Sequence, residues 1–414
     1  MSRDPCRPRR QPLDTSPGRV TSLAFVPTPP LLADVVALLD GWYPPSWAEP
    51  WDAVGTVCGD PADPVRRVLL AVDPVHEVVA EAAEWGADLL VVHHPLLLKA
   101  VHSVAADTPK GRIVHTLVRE NIGLHVCHTN ADSPPGGVSE ALADVLGLTD
   151  VRPLDPDPAD PLDKIVVFVP HDDVDRMIDA LAAAGAGRLG DYDRCSFVST
   201  GTGSFRPLSG ANPTIGTVGE QEQVPETRVE MVLPRQRRSA VLAALRAAHP
   251  YEEPAFDLLE QADLPGPRGS GRLGRLPEPQ SLADFADRVV AALPPTRSVA
   301  RVAGDPDRQV SSVAVCGGAG DFLLDRARSV GADVYVTSDL RHHPASELRA
   351  HAHADPQTPA LVDVPHAAAE WTWLPVLAER LRRALPTTVE VRVSATSTDP
   401  WTDHLPMTGE RSPR

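Results

Sequence analysis

Trp85-Gly-Ala-Asp-Leu-Leu-Val-Val-His-His-Pro95 is the stretch on which the fold turns. The apolar run Leu89 to Val92 reads as a strand buried on both faces, as in parallel sheets. It stops abruptly in two imidazoles and a proline. In open α/β folds the site lies beyond the carboxyl ends of the strands, and two neutral imidazoles there are good ligands for zinc, iron, nickel or copper. Adjacent side chains on a regular strand point to opposite faces; where the backbone turns, both can face one crevice. The competing reading is a pair of surface histidines after a core strand.

Two further segments end in the same manner. In Asn121-Ile-Gly-Leu-His-Val-Cys-His-Thr-Asn-Ala-Asp132 a strand gives way to polar groups. Asp132 offers a hard oxygen able to bind or bridge metals, or forms an Asx turn before the Pro134-Pro-Gly-Gly137 break. His128 orients a ligand or passes a proton, or is structural. In Pro365-His366-Ala-Ala-Ala-Glu370 the i, i+4 spacing puts imidazole and carboxylate on one helix face, a common ligand spacing that also occurs in plain surface pairs. Together His93, His94, Asp132, His366 and Glu370 suit two divalent ions. Three histidines and two carboxylates do not choose among Zn, Fe, Mn and Ni.

Gly331-Ala-Asp-Val-Tyr-Val-Thr-Ser-Asp339 repeats the pattern of residues 86–94. Both follow a predicted helix, open with Gly-Ala-Asp, and end a buried strand in polar groups, which suggests two related halves. Beyond the second lie Asp339, Arg341, His342 and His343. Asp339 and His343 are candidate catalytic groups, His342 and Arg341 candidate substrate contacts, Arg341 as a bidentate phosphate ligand; the bland reading is a helix cap and first turn. Gly317-Gly-Ala-Gly320 has amides able to hold a phosphate, but any tight strand–helix turn favours glycine. It does not have the GxGxxG spacing, and no P-loop, GxSxG or CxxC occurs.

A chain of 414 residues predicts two or three domains. The formal charge of −17 argues against general nucleic-acid binding through phosphate neutralisation. Five scattered cysteines suit free thiols in a reducing cytoplasm, and no apolar run approaches the ~18–20 residues that span a bilayer. Residues 1–19, rich in Pro and Arg, read as a disordered extension and 396–414 as a flexible tail. Alternating strands and helices predict a discontinuous α/β core over 20–150 and 268–395. Asp/Pro-rich Val151–Pro161 and Pro/Gly-rich Leu264–Gly274 read as linkers around an insert, 160–262, whose β-α-β-β-α-β order suits a ferredoxin-like sandwich. The fold class is therefore α/β, two related halves forming a di-metal core, with an inserted α+β domain.

Taken together, His93-His-Pro95, His128-Thr-Asn-Ala-Asp132 followed by Pro135-Gly-Gly-Val138, Gly317-Gly-Ala-Gly320, Asp339-Leu-Arg-His-His343 and His366-x-x-x-Glu370 resemble the type-2 GTP cyclohydrolase I family, also called NGG-interacting-factor-like. The resemblance covers roughly Val20 to Val393. Within the insert, Cys195-Ser-Phe, Gly201-Thr-Gly-Ser-Phe-Arg206, Gly210-Ala-Asn-Pro213 and His249-Pro-Tyr-Glu-Glu-Pro254 are similar to the long bacterial members, whose insert resembles trimeric signal-transduction and copper-tolerance sandwiches. The resemblance implies a di-metal site of His93, His94, Asp132, His366 and Glu370 in a toroidal homohexamer. It also implies a hydrolase that opens the guanine ring and releases formate, with Asp339, His343 or His128 moving protons. A phosphoesterase using the same metals and a non-enzymatic metal-binding adaptor are the alternatives. Two departures stand out: Trp51-Asp-Ala-Val-Gly55 where Trp-Asp-Asn-Val-Gly is common, and Ser338-Asp339 where a Gly-acid pair is frequent.

Overall fold

The computed structural model describes residues 28–405; the expected extension at 1–19 and the last part of the expected tail, 406–414, lie outside the described residues. Four strands come first: β1 (Gly55–Cys58), β2 (Arg67–Ala71), β3 (Leu89–Val92) and β4 (Gly123–Val126). Next come β5 (Thr149–Pro158), β6 (Leu162–Pro170), β7 (Phe197–Phe205), β8 (Glu222–Pro234), β9 (Phe256–Glu260) and β10 (Pro265–Ser281). The last are β11 (Arg301–Ala303), β12 (Gln309–Ala319), β13 (Val334–Ser338), β14 (Ala360–Asp363) and β15 (Glu390–Val393).

They build three sheets, giving a mixed α/β protein. The first has the order β1-β4-β3-β2-β15, the second β11-β14-β13-β12-β10-β5, and the third β7-β8-β6-β9. In the first, β4, β3, β2 and β15 are parallel; in the second, β12, β13 and β14 are parallel. The third is antiparallel throughout, with helices Val174–Ala183 and Arg238–Ala248 packed together over its apolar core. The inner strands β2 and β3 are apolar along almost their whole length because helices cover both faces. Leu32–Trp42 and Trp373–Ala384 pack on one face of the first sheet, His76–Trp85 and Pro109–Arg119 on the other.

The Gly-Ala-Asp repeat is one brace used twice. Gly86 and Gly331 each leave a helix with φ near +70°, a left-handed exit that favours glycine. Ala87 and Ala332 are buried behind them. Asp88 then accepts the backbone N–H groups of Arg66 and Arg67 at 2.6 and 2.8 Å, and Asp333 those of Ser311 and Ser312 at 2.9 and 2.8 Å. In each half the carboxylate ties the start of one parallel strand to the start of its neighbour. This sets the register that carries both strand ends to the same level.

The two stretches read as linkers from their composition are instead paired strands. β5 and β10 run antiparallel from Thr149↔Arg275 to Pro158↔Pro265. Proline is tolerated there because β5 is the edge of its sheet. Buried Arg272 on β10 fixes this ribbon to the turn after Asp132. Its guanidinium donates to the carbonyls of Ser133, Pro134, Gly269 and Gly271 and to Glu140. Arg272→Met removes all five of these hydrogen bonds and leaves Glu140 without its cation. We expect it to lower unfolding stability by about 3–5 kcal/mol, measured by denaturant titration.

Candidate metal centre

Strand ends of both parallel sheets deliver the site. β3 runs into His93 and His94; β4 into His128 and the short helix Thr129–Asp132; β14 into Pro365 and the helix His366–Trp371, which carries Glu370. β12 brings Gly318 and β13 brings Asp339. This is the crevice beyond the carboxyl ends of strands where α/β proteins place their sites.

Glu370 is the hub. It is 4% exposed, and three imidazoles surround it. Oε1 lies 2.9 Å from His366 Nε2 and 3.5 Å from His93 Nε2, and Oε2 lies 3.0 Å from His94 Nε2. His93 Nε2 is also 3.5 Å from Asp132 Oδ1, and the Nε2 atoms of His94 and His366 are 3.3 Å apart. The ligand atoms of His93, His94 and His128, and those of His94, His366 and Glu370, form two clusters, each within 4.8 Å.

Every imidazole is oriented from behind. Nδ1 of His93 meets the Cys127 carbonyl at 2.9 Å, and Nδ1 of His94 meets Asp73 at 2.7 Å. Nδ1 of His128 meets Asp52 at 2.8 Å, and Nδ1 of His366 meets Asp339 at 2.7 Å. With Nδ1–H donating outward, each neutral ring presents its Nε2 lone pair inward, the arrangement metal-binding histidines use. Asp339 reaches His366 from a backbone at φ +55°, a region uncommon for a non-glycine residue.

The electrostatics follow from burying one carboxylate among three rings. Burial pulls the His94 imidazolium down, but the Glu370 charge and the Asp73 hydrogen bond outweigh it and hold it at about 11. His366 is held at about 9 against burial by Glu370 and Asp339. Glu370 itself, despite burial, is held well below the usual carboxylate range by His93 and His94. Burial pushes Asp132 up. His93 Nε2, Asp132 Oδ1 and Glu370 Oε2 are buried and make no hydrogen bond of good geometry, Glu370 Oε2 meeting His94 Nε2 only as an ion-pair contact. Buried polar atoms are rarely left so, and these three converge. A donor set of imidazole nitrogens and carboxylate oxygens with orphaned inward atoms fits divalent cations.

The glycine run makes room for this. Gly318 has φ +72°, and a Cβ there would stand 2.5 Å from Glu370 Oε1 and 3.4 Å from His366 Nε2. At Gly317 it would meet Val138 and at Gly320 the hydroxyls of Tyr335 and Thr337. Close packing therefore accounts for all three glycines without a phosphate.

Two cavities flank the cluster, and His94 and His366 line both. The smaller, about 530 Å³, is walled by Trp47, Trp51, Phe322 and the glycine run. The larger, about 820 Å³, is lined by Asp73, Asp339, Asp363 and the segment Thr398–His404. That segment is tied down by Thr396 to Glu81 and by His404 to the Arg297 carbonyl.

The structure brings together His93, His94, His128, Asp132, His366, Glu370 and Asp339. It does not bring Arg341, His342 and His343 among them. Arg341 pairs with Asp321, and with His342 it borders an adjoining surface depression of about 270 Å³ that shares Arg301 and Asp363 with the larger cavity. His343 is exposed on the first turn of helix His342–His351. Sequence reasoning missed Asp73 and Asp52. Asp73 follows the end of β2 as polar groups follow β3 and β4; Asp52 lies inside the Trp51–Gly55 motif.

Fold and site thus define an α/β protein with a buried histidine–carboxylate cluster of metal-binding composition. The profile of the Duf34/NIF3 (NGG1p interacting factor 3) family matches residues 30–400, and the chain belongs to that family. A Mycobacterium tuberculosis protein named "GTP cyclohydrolase 1 type 2 homolog" is 51% identical over 375 residues, covering 90% of this chain and 97% of the relative. A Bacillus subtilis protein of the same name is 38% identical, covering 76% and 83%. The crystal structure of a Bacillus cereus protein related to NIF3 superposes with a TM-score of 0.69 at 34% identity, over 90% of this chain and 99% of that one. Staphylococcus aureus protein SA1388 superposes with a TM-score of 0.76 at 30% identity, over the same shares. No helix among the described residues is long and apolar enough to cross a membrane.

Two outcomes test the centre. Gly318→Ala drives a methyl group into Glu370 from a backbone that disfavours it; we expect the bound metal to fall at least tenfold, read by metal analysis of the folded protein. Against burial, Glu370 and the Asp73 and Asp339 carboxylates raise the pKa values of His94 and His366, so a cation binding at their Nε2 atoms competes with protons. Calorimetric metal titrations in buffers of different ionisation enthalpy should show net proton release, with affinity falling as pH falls.

Proposed function

We propose that this protein is a metal-dependent hydrolase whose centre holds two divalent ions, and that its reaction is the hydrolytic opening of the guanine ring with release of formate. The observation that carries the reading is the convergence of His93 Nε2, Asp132 Oδ1 and Glu370 Oε2, buried and without a hydrogen bond, beside facing Nε2 atoms of His94 and His366. His93, His94, Asp132, His366 and Glu370 would hold the ions, and His128 lies close enough to join them. Bound divalent ions supply Lewis acidity and lower the pKa of water toward neutrality.

The chain's own groups do the rest. Asp73, Asp52, Asp339 and the Cys127 carbonyl fix four ring orientations before any substrate arrives, so no reorganisation is needed at the moment of reaction. Asp339 is the exposed member of its pair, with its side chain 61% accessible at the wall of the larger cavity. It is the group placed to move a proton between solvent and a substrate there. His128 offers a second route from the smaller cavity. The aromatic walls Trp47, Trp51 and Phe322 suit a planar ring. The name carried by the bacterial relatives supports guanine as that ring.

The four-stranded unit between β5 and β10 is read here as a ferredoxin-like insert, and the assembly as a homohexamer. The test is formate release from GTP by metal-replete protein beside Glu370→Ala. We expect release that depends on metal and drops at least a thousandfold in the variant. About two metals per chain without formate would keep the centre and overturn the reaction. Phosphate release from phosphoesters would then mark a phosphoesterase, and exchange of metal without turnover a metal-binding adaptor.

A further inference from the structure

Three motifs of the four-stranded unit have no part in the metal centre: Gly201–Arg206, Gly210–Pro213 and His249–Pro254. The structure gathers them around one cavity of about 370 Å³, within the size range of small-molecule sites, about 300–1,000 Å³. The loop after β7 is latched across it. Asn212 N–H donates to Glu252 Oε1 at 3.0 Å, and the Thr214 hydroxyl to the Pro250 carbonyl at 2.8 Å. His249 holds the opposite wall. Its Nε2–H donates to the Phe168 carbonyl at 2.8 Å, and its Nδ1 accepts the Tyr251 N–H at 3.0 Å.

The lining has a definite chemistry. The rings of Phe205 and Tyr251 stand 6.0 Å apart, tilted by 55°, and Leu208 and Ile215 add apolar surface. Glu226, Glu252 and Glu253 line the cavity against a single cation, Arg206. Gly203 is what lets Glu226 lie where it does, since a Cβ there would sit 2.0 Å from Glu226 Oε2. Carboxylates beside two aromatic faces attract a positively charged group bearing an apolar body. An anion would meet a net charge of two negatives.

We propose that this cavity is a second binding site, separate from the metal centre, for a small organic cation. Glu226 supplies the counter-charge, Phe205 and Tyr251 the aromatic cage, and the 207–215 loop the cover. The site exists because glycine at 203 and the histidine-braced turn at 249–251 place those groups together, which gives the three motifs a common purpose.

The test is calorimetric titration of the full-length protein with choline, agmatine, spermidine and 2-phenylethylamine. 3,3-Dimethyl-1-butanol serves as the neutral isostere of choline. We expect saturable binding of at least one of the cations and none of the alcohol. Affinity for the cation should fall at least tenfold in Glu226→Gln and in Phe205→Leu, with metal content and thermal unfolding unchanged. No saturable binding by any of the four cations overturns the proposal, as does equal binding of the neutral isostere or full affinity in Glu226→Gln. If either variant fails to fold, the cation–isostere comparison on the unaltered protein decides.

Discussion

A single carboxylate, Glu370, sets the terms for the centre of this molecule. It is withdrawn from water among three imidazoles, and an ionised group so placed is costly unless compensated. Protons on His94 and His366 are one form of compensation and divalent cations another. Both need the rings close, pointed inward and backed by acceptors. The backing groups Asp73, Asp339 and the Cys127 carbonyl are as necessary to Glu370 as the rings themselves. So is the missing side chain at Gly318, because a methyl group there would occupy the volume the carboxylate uses.

Such a cluster demands that two separate sheets end at the same place. The duplicated brace provides for this. Asp88 and Asp333 each clamp two successive amides of a neighbouring strand, so that strand starts, and hence strand ends, are level within each half. Each carboxylate follows a left-handed glycine and a buried alanine, so three residues deliver helix exit, packing and register. The halves then meet through Arg272, which binds the turn after Asp132 to β10, and through the edge-to-face contact of Trp373 with His93, 5.7 Å between ring centroids. The histidine–carboxylate cluster forms across the junction of the halves rather than within either.

Those constraints explain what was legible in the sequence. The apolar strands and their polar ends were readable because burial on both faces leaves an unbroken apolar run. His366 and Glu370 were readable because helical spacing puts them on one face. Arg341, His342 and His343 belong to the motif that ends the repeated strand, but the chain turns at Asp339, and the helix that follows sets Arg341 and His342 on a depression beside the larger cavity and leaves His343 exposed. The β5–β10 ribbon was hidden because proline and glycine mark linkers by composition, while an edge strand tolerates both. Asp73 and Asp52 were hidden because an orienting carboxylate has no spacing rule; only the folded chain shows which ring it faces.

The charge around the centre limits how it selects a ligand. Among the described residues, no lysine or arginine lines the smaller cavity, and Arg301 at the larger one is paired with Asp363. Arg341 is likewise paired with Asp321. An anionic ligand entering either chamber therefore meets positive charge chiefly at the histidine–carboxylate cluster, whose His94 and His366 line both cavities. Recognition of the remainder falls to the aromatic walls, which read shape and stacking rather than charge. In a chain with a formal charge of −17, attraction of an anion toward this cluster has to be local. On the proposed reading, loading of the centre with divalent ions and admission of a negatively charged substrate would be one electrostatic event.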